Sequence, residues 1–344
     1  MLPDEGVHVV QRRVSRLEFP TPQGRPFEPS SGETVIVGQL IRDKEIIAIG
    51  GGKGGVGKSF LAANLGILLA KSGKKAVLID ADLGGANLHT CLGIPTPEIT
   101  LSDFMTQPQL RIEDVLLRTG QENLFLISGA QDILGIANPK YSQKSKLVKA
   151  IQTLHANYIV LDLGAGTSSN TLDFFLLADK GVLVVMPEPT SIENAYRFIK
   201  SALYRRLRSI SADPRVRAVI EKAMDKKNDL GVRSPVELVE YVARMDARAG
   251  TGLEEALSQF RPRIVVNQVR SLSDVRIGYA MQSACLKFFG IKVDFIGYLE
   301  NDEQVWQSIR KRQPIALTQD QGRAARNLRT ITYNLLNDLQ LKPE

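Results

Sequence analysis

The stretch IIAIGGGKGGVGKSFLAANLGILLA at residues 46–70 decides the fold of this chain. An apolar run typical of a buried strand is followed by a glycine-rich loop and then by an apolar helical pattern. Within it, Gly52, Gly57, Lys58 and Ser59 match G-x-x-x-x-G-K-[ST] in the strand–loop–helix context that the motif requires. Glycines let the loop backbone wrap around phosphates, whose charge is bound by successive N–H groups and by the helix N-terminus. The motif therefore predicts a nucleotide site.

This site gives each part of the loop a role. We expect Lys58 to place its charge on the β- and γ-phosphates, and Ser59 to offer its hydroxyl to Mg²⁺. The residues expected to contact the nucleotide are Gly54, Gly55, Val56, Gly57, Lys58, Ser59 and Phe60.

The chain from residue 45 onward alternates short apolar runs with helical periods, which is typical of βαβ units and a parallel sheet. The runs are continuous in Val, Ile and Leu, as expected for parallel strands that are buried on both faces. Strands are predicted at 46–49, 76–79, 124–127, 158–161, 181–186, 264–266 and 294–299, and helices at 58–72, 143–155, 191–208, 274–289, 302–312 and 321–340. We therefore predict an α/β fold, a three-layer P-loop NTPase with a mostly parallel twisted sheet flanked by helices.

Two segments depart from this alternation. Residues 1–44 contain the Pro-, Gly- and Ser-rich stretch PTPQGRPFEPSSGE and are predicted to be a partly disordered N-terminal extension. Residues 209–261 contain no good strand pattern and are predicted to be a mostly helical insertion. The P-loop domain is accordingly expected at residues 45–340, interrupted by this insertion.

The composition excludes several classes of protein. The 344 residues are 43% hydrophobic and 24% charged, which is a globular composition. Two cysteines, Cys91 and Cys285, can form neither a disulfide framework nor a four-ligand zinc site, which favours a reducing compartment. No apolar run approaches the ~20 residues of a membrane helix, and the N-terminus has no signal-peptide pattern. We expect a cytoplasmic protein whose net charge of +7 permits an anionic partner without proving one.

A second lysine, Lys53, lies in the loop sequence KGGVGK. This loop resembles that of the deviant-Walker-A (SIMIBI-class) ATPases of the MinD/ParA superfamily. The segment PEPTSIENAY at residues 187–196 resembles the FlhG/FleN subfamily of flagellar-number regulators. The resemblance, over residues 45–208 and 262–338, implies that the protein binds ATP and Mg²⁺, dimerises around ATP and hydrolyses it slowly until a partner stimulates it. Lys53 would then reach the phosphates bound by the partner subunit.

The resemblance also assigns roles to acidic residues. In LIDADLGGANLH, at residues 78–89, Asp80, Asp82 and Asn87 match the switch I pattern of the superfamily. Asp82 would activate or orient the attacking water, and Asp80 would lie nearer the metal. The catalytic residues implied in this way are Lys53, Lys58 and Asp82.

Three further motifs of the superfamily are matched near strand ends. Asp162 follows the apolar strand YIVL as a Walker B acid does, so it is expected to hold Mg²⁺ together with Ser59 and Asp80. Gly164 and Gly166 match switch II, where the backbone of Gly166 would sense the γ-phosphate. Asn267 lies at a strand end where the superfamily reads the adenine edge, and its amide has the required donor and acceptor.

The sequence leaves two outputs open. The FlhG-like motif favours a switch for flagellar number or placement that works through an unidentified activating protein. The alternative is a ParA-like DNA-dependent positioning or partition ATPase, since Arg323, Arg326 and Arg329 could contact phosphates of non-specific DNA. With either output, we expect the cytoplasmic protein to be recruited to a pole or to the nucleoid. The last core helix is expected to carry an apolar stripe of Leu328, Ile331, Leu335 and Leu339, with no membrane-targeting helix after it.

Overall fold

The computed structural model describes residues 44–129, 141–225, 228–318 and 321–342. The predicted extension therefore lies outside the described residues, apart from Lys44. The described residues form an eight-stranded sheet in the order β3-β4-β2-β5-β1-β6-β7-β8. The strands are β1 (Glu45–Gly50), β2 (Ala76–Ala81), β3 (Leu117–Arg118), β4 (Leu124–Ile127), β5 (Tyr158–Leu163), β6 (Lys180–Val185), β7 (Arg263–Val269) and β8 (Asp294–Glu300). β3 pairs antiparallel with β4, and the other neighbouring pairs are parallel.

Helices cover both faces of this sheet. Their bounds are α1 (Lys58–Lys71), α2 (Leu88–Cys91), α3 (Leu101–Thr106), α4 (Tyr141–Thr153), α5 (Ser169–Leu177), α6 (Pro189–Ile210), α7 (Pro214–Met224), α8 (Pro235–Met245), α9 (Ala247–Gln259), α10 (Leu272–Phe289), α11 (Glu303–Lys311), α12 (Ile315–Thr318) and α13 (Arg323–Leu336).

The central strand β1 shows why the strands are apolar along their whole length. Successive side chains of a strand point to opposite faces of the sheet. Ile46 and Ala48 join the core beneath α4, α5, α6 and α10. Ile47 and Ile49 join the core beneath α1, α12 and α13. Both faces are buried, so no polar face is needed. The three-layer α/β arrangement predicted from the sequence is confirmed.

The predicted strands and helices are present with shifted ends, and the last helix needs a correction. It was expected at residues 321–340, but α13 ends at Leu336. Asp338 then adopts a φ of 53°, and the N–H of Leu341 donates to the carbonyl of Phe295 on β8 at 2.7 Å. Leu339 is therefore outside the helix and 43% exposed, and the buried stripe consists of Leu328, Ile331 and Leu335.

Within residues 209–261, the described part completes α6 and forms the helices α7, α8 and α9. Their buried side chains, among them Val216, Leu238 and Leu253, belong to the same core as Phe198 of α6. The segment therefore extends one side of the sheet's core.

The parallel strands β1, β2, β5, β6 and β7 all end at the same edge of the sheet, which is where ligands bind in open α/β sheets. The loops after these strands are consequently neighbours. Among the described residues, no helix combines the length and the apolarity that crossing a membrane would require.

Candidate functional site

The glycine-rich loop between β1 and α1 is shaped by two kinds of constraint. Gly55 and Gly57 have φ values of 75° and 99°, a region that residues with a Cβ rarely adopt. Gly52 packs against the first turns of α6, where a Cβ would lie only 2.4 Å from the carbonyl carbon of Asn194. The loop therefore requires glycine for its backbone conformation at two positions and for close packing at a third.

Asn267, near the end of β7, lies directly against this loop. Its Nδ2 donates to the carbonyl of Val56 at 2.7 Å, and its Oδ1 accepts from the N–H of Gln268 at 2.8 Å. A Cβ on Gly57 would lie 2.2 Å from that Nδ2. The amide predicted to read adenine thus already uses one N–H to join β7 to the loop and its oxygen to bind the next residue of its own strand. Adenine recognition stays a prediction.

Asp80 and Asp162 are neighbours in the register of β2 and β5, and both are buried. The oxygens of Asp80 accept from the backbone N–H groups of Asp82 at 3.2 Å and Leu88 at 2.9 Å. Burial raises the pKa of Asp80, although these N–H donors oppose the shift. Asp80 therefore holds the loop that follows β2 as well as facing the second acid.

Asp162 is the acid whose environment points to a cation. Burial is the largest cause that raises its pKa and the charge of Asp80 adds to it, whereas a hydrogen bond from Ser59 and the charge of Lys58 lower it. Its Oδ1 is buried without a hydrogen-bond partner among the described residues. An orphaned carboxylate oxygen beside a serine hydroxyl is a donor set that suits Mg²⁺, which accepts oxygen ligands. The residues present therefore fit the predicted metal.

The loop after β5 connects Asp82 to the phosphate loop. A Cβ on Gly164 would lie 3.1 Å from Oδ1 of Asp82, so that carboxylate rests against this loop. Gly166, with a φ of 83°, donates its N–H to the carbonyl of Gly51 at 3.1 Å. The predicted switch I and switch II residues are therefore adjacent, at the same edge of the sheet as Lys58.

Lys53 makes an ion pair that the sequence reasoning missed. Its Nζ lies 3.1 Å from Oε2 of Glu188, the residue just before α6, and the two side chains are 43% and 45% exposed. Glu188 lies in the segment PEPTSIENAY, whose resemblance to the FlhG/FleN subfamily implies no role for it. Its position shortly after β6, at the edge where strands carry site residues, is the signal that could have identified it.

The three arginines proposed as a DNA-binding face lie on α13, separate from the nucleotide loop. Arg323 is 3.6 Å from Glu300, and Arg326 donates to the carbonyl of Gln321 at 2.7 Å. Arg329 lies one turn further along the helix. The cleft beside Arg323 and Arg326 is also lined by Glu300, Asp302 and Glu303. This surface is of mixed charge.

Comparisons with known proteins agree with this geometry. A family model described as ParA: NUBPL iron-transfer P-loop NTPase matches residues 42–209. The antiactivator FleN of Pseudomonas aeruginosa is 37% identical over 158 residues, covering 45% of this chain and 55% of FleN. The flagellum site-determining protein YlxH of Helicobacter pylori is 36% identical over 165 residues, covering 45% of this chain and 53% of YlxH. The chain thus spans about half the length of these two relatives.

Of two further comparisons, one shows the fold and the other shows the family. The solved septum site-determining protein MinD from Pyrococcus horikoshii, complexed with Mg-ADP, has a TM-score of 0.56 and 18% identity, covering 84% of this chain and 94% of that chain. This identity shows the fold alone. An ATP-binding protein of Methanocaldococcus jannaschii is 31% identical over 194 residues, covering 56% of this chain and 70% of that relative. The chain belongs to the ParA/MinD family of P-loop NTPases.

Proposed function

We propose that this chain binds ATP with Mg²⁺ at the loop between β1 and α1. The observation that carries the proposal is the buried, orphaned Oδ1 of Asp162 beside Ser59. Ser59 and Asp162, with Asp80 behind them, would hold Mg²⁺, which when bound supplies positive charge at the β- and γ-phosphates. The backbone from Gly54 to Phe60 binds the phosphates.

Hydrolysis in this proposal depends on positioning and charge, since phosphoryl transfer needs little covalent chemistry from the protein. Lys58 neutralises charge on the transferred phosphate. Asp82, half-exposed and resting against Gly164, orients the attacking water. The N–H of Gly166 donates to the carbonyl of Gly51, so switch II is joined directly to the start of the phosphate loop.

We propose that the ATP-bound form is a homodimer in which Lys53 contacts the phosphates of the partner subunit. In the single chain this lysine is paired with Glu188 while both side chains remain nearly half exposed. An exposed pair of this kind contributes only about 0–1 kcal/mol, so it releases the lysine easily. Hydrolysis would then dissolve the dimer. Residues 45–340 would act as one ATPase domain, with 209–261 inserted into it.

The output we propose is flagellar placement or number, controlled in the cytoplasm through an activating protein. Likeness to FleN and YlxH supports it. The DNA-dependent alternative has weaker support because Glu300 neutralises Arg323 and further acids line the same cleft. Phosphate contacts need uncompensated cations.

Light scattering with and without ATP tests the switch. The Asp82→Ala variant should form a stable dimer with ATP and Mg²⁺ and stay monomeric with ADP. Adding Lys53→Ala should abolish this dimer, whereas the exposed Lys292→Ala should not. An ATP dimer that persists without Lys53 would contradict its role in trans. Expression in Helicobacter pylori lacking YlxH, followed by counting and mapping flagella, tests the output.

A further inference from the structure

A groove of about 670 Å³ lies between α4, α5 and α6, and none of its lining residues belongs to the phosphate loop. Its floor is apolar, formed by the half-buried side chains of Val148, Leu176 and Leu177. Its rim carries the cations Lys144, Lys149, Arg205, Arg208 and Arg217. An apolar floor with a basic rim fits a peptide segment that combines apolar side chains with carboxylates, and it does not favour a nucleic acid backbone.

The charges of the groove are only partly compensated by its own acids. Asp173 is bound by both Lys144 and Arg205. Arg208 pairs with Glu221 at 2.7 Å, in an exposed position. The two acids thus face three of the five rim cations. Lys149 is exposed, and Arg217 donates its Nε to the carbonyl of Ser211 at 2.7 Å, a contact that leaves its charge uncompensated. The groove retains a net positive charge.

The described chain begins at one end of this groove. The Nζ of Lys44 donates to the carbonyls of Ile151 at 3.2 Å and Leu154 at 3.0 Å, at the carboxyl end of α4. Gln152, which lines the groove, lies at the same end of that helix. The described chain therefore begins next to the groove.

The stretch PFEPSSGETVIVGQLI at residues 26–41 has the matching chemistry. It contains Glu28 and Glu33 and no Lys, Arg or His, and its second half is apolar. Eight extended residues span about 26 Å, and the 13 residues of α4 span about 20 Å. A tether of this length also holds the segment at an effective concentration of about millimolar.

We propose that residues 26–41 of this chain bind in the groove in cis. The apolar run covers the floor, and the two glutamates contact rim cations that the groove's own acids leave uncompensated. The groove is then an intramolecular docking site for the segment that leads into β1.

Photo-crosslinking in the full-length protein tests this docking. A p-benzoylphenylalanine residue replaces the exposed Gln152, and crosslinked peptides are identified by mass spectrometry. We expect crosslinks to residues 26–41, with a yield independent of protein concentration, and none to this stretch from the same probe placed at Tyr333 on the other face of the sheet. Crosslinks only to residues 1–25, or none after the benzophenone is consumed, would overturn the proposal. Crosslinks to a second, isotope-labelled copy would overturn the cis arrangement.

Charge reversal distinguishes specific docking from mere proximity. Glu28→Lys with Glu33→Lys should lower the crosslink yield about fivefold, because two favourable surface pairs become repulsive. The matched control reverses Asp4 and Glu5, which lie in the same extension but outside the stretch, and should leave the yield unchanged. Lys149→Glu should restore part of the yield in the doubly reversed protein. Equal yields in all these variants would refute the charge complementarity.

Discussion

Replacing Asn267 by alanine should distinguish a loop-holding role from adenine recognition. The substitution removes the donor to the Val56 carbonyl and the acceptor for the Gln268 N–H. Val56 is fully buried, so its carbonyl would lose its partner at a cost of about 1–3 kcal/mol. Gln268 is half-exposed, so its N–H can bind water instead. However, the bond to Asn267 also supports the unfavourable φ of 59° at Gln268, and losing that support costs roughly 1 kcal/mol.

These contributions total about 2–4 kcal/mol. Because the unfolding entropy of a chain of this size is about 0.7 kcal/mol/K, they lower the Tm by about 3–6 °C. Scanning calorimetry of the nucleotide-free protein measures this loss, and titration calorimetry measures affinity for ATP and GTP. We expect both nucleotides to be weakened by a similar factor, because the loop that binds phosphates is disturbed. Asn301→Ala, an exposed amide at the end of β8, is the matched control. An unchanged Tm with a selective loss of ATP over GTP would refute the reasoning and favour adenine reading.

Three further predictions follow from the site. Glu188→Gln should leave the Tm unchanged because its ion pair with Lys53 is exposed. It should strengthen ATP-dependent dimerisation about threefold in sedimentation experiments, because Lys53 is freed. Unchanged dimerisation would show that this pair does not restrain Lys53. Gly52→Ala should lower the Tm by several degrees because its Cβ meets the backbone of α6, whereas Gly54→Ala enters open space and should not. Burial raises the pKa of Asp162, so the folded protein loses stability as the pH rises and this buried carboxyl group becomes charged. Asp162→Asn should therefore stabilise the nucleotide-free protein more at pH 9 than at pH 5. A difference in stability that does not depend on pH would contradict this.

The features predicted well from sequence are those whose signal is local. The strand–loop–helix motif at residues 46–70 spans contiguous residues, and each predicted strand is a short apolar run in the sequence. Asp162 was expected to be a metal residue because it directly follows such a run, and Asp80 because LIDADLGGANLH resembles the switch I pattern of the superfamily. Both roles stay predictions. The strand β3 was not predicted because its two residues are too few for any periodic pattern.

The features that could not be predicted join residues distant in sequence. Lys53 and Glu188 are 135 positions apart, and Asn267 and Val56 are 211 apart. Their contacts depend on the order of strands in the sheet, which places β1 between β5 and β6. Hydrophobic periodicity specifies which residues are buried but carries no information on which strand lies beside which. The partner of a strand-end residue therefore appears only in the folded structure.

The contacts around the phosphate loop separate a firmly held part from a weakly held one. Buried or backbone contacts hold the loop from three sides: α6 packs on Gly52, the N–H of Gly166 donates to the start of the loop, and Asn267 donates to its carbonyl. A loop fixed in this way loses little conformational entropy when phosphates bind. Lys53 is different, since the contact that holds it is an exposed ion pair with Glu188. Because an exposed pair is weak, a change in the state of the nucleotide can redirect this lysine at little cost, while the phosphate-binding backbone keeps its conformation. The switching element is therefore expected to be the lysine side chain, and the loop itself the fixed frame on which it acts.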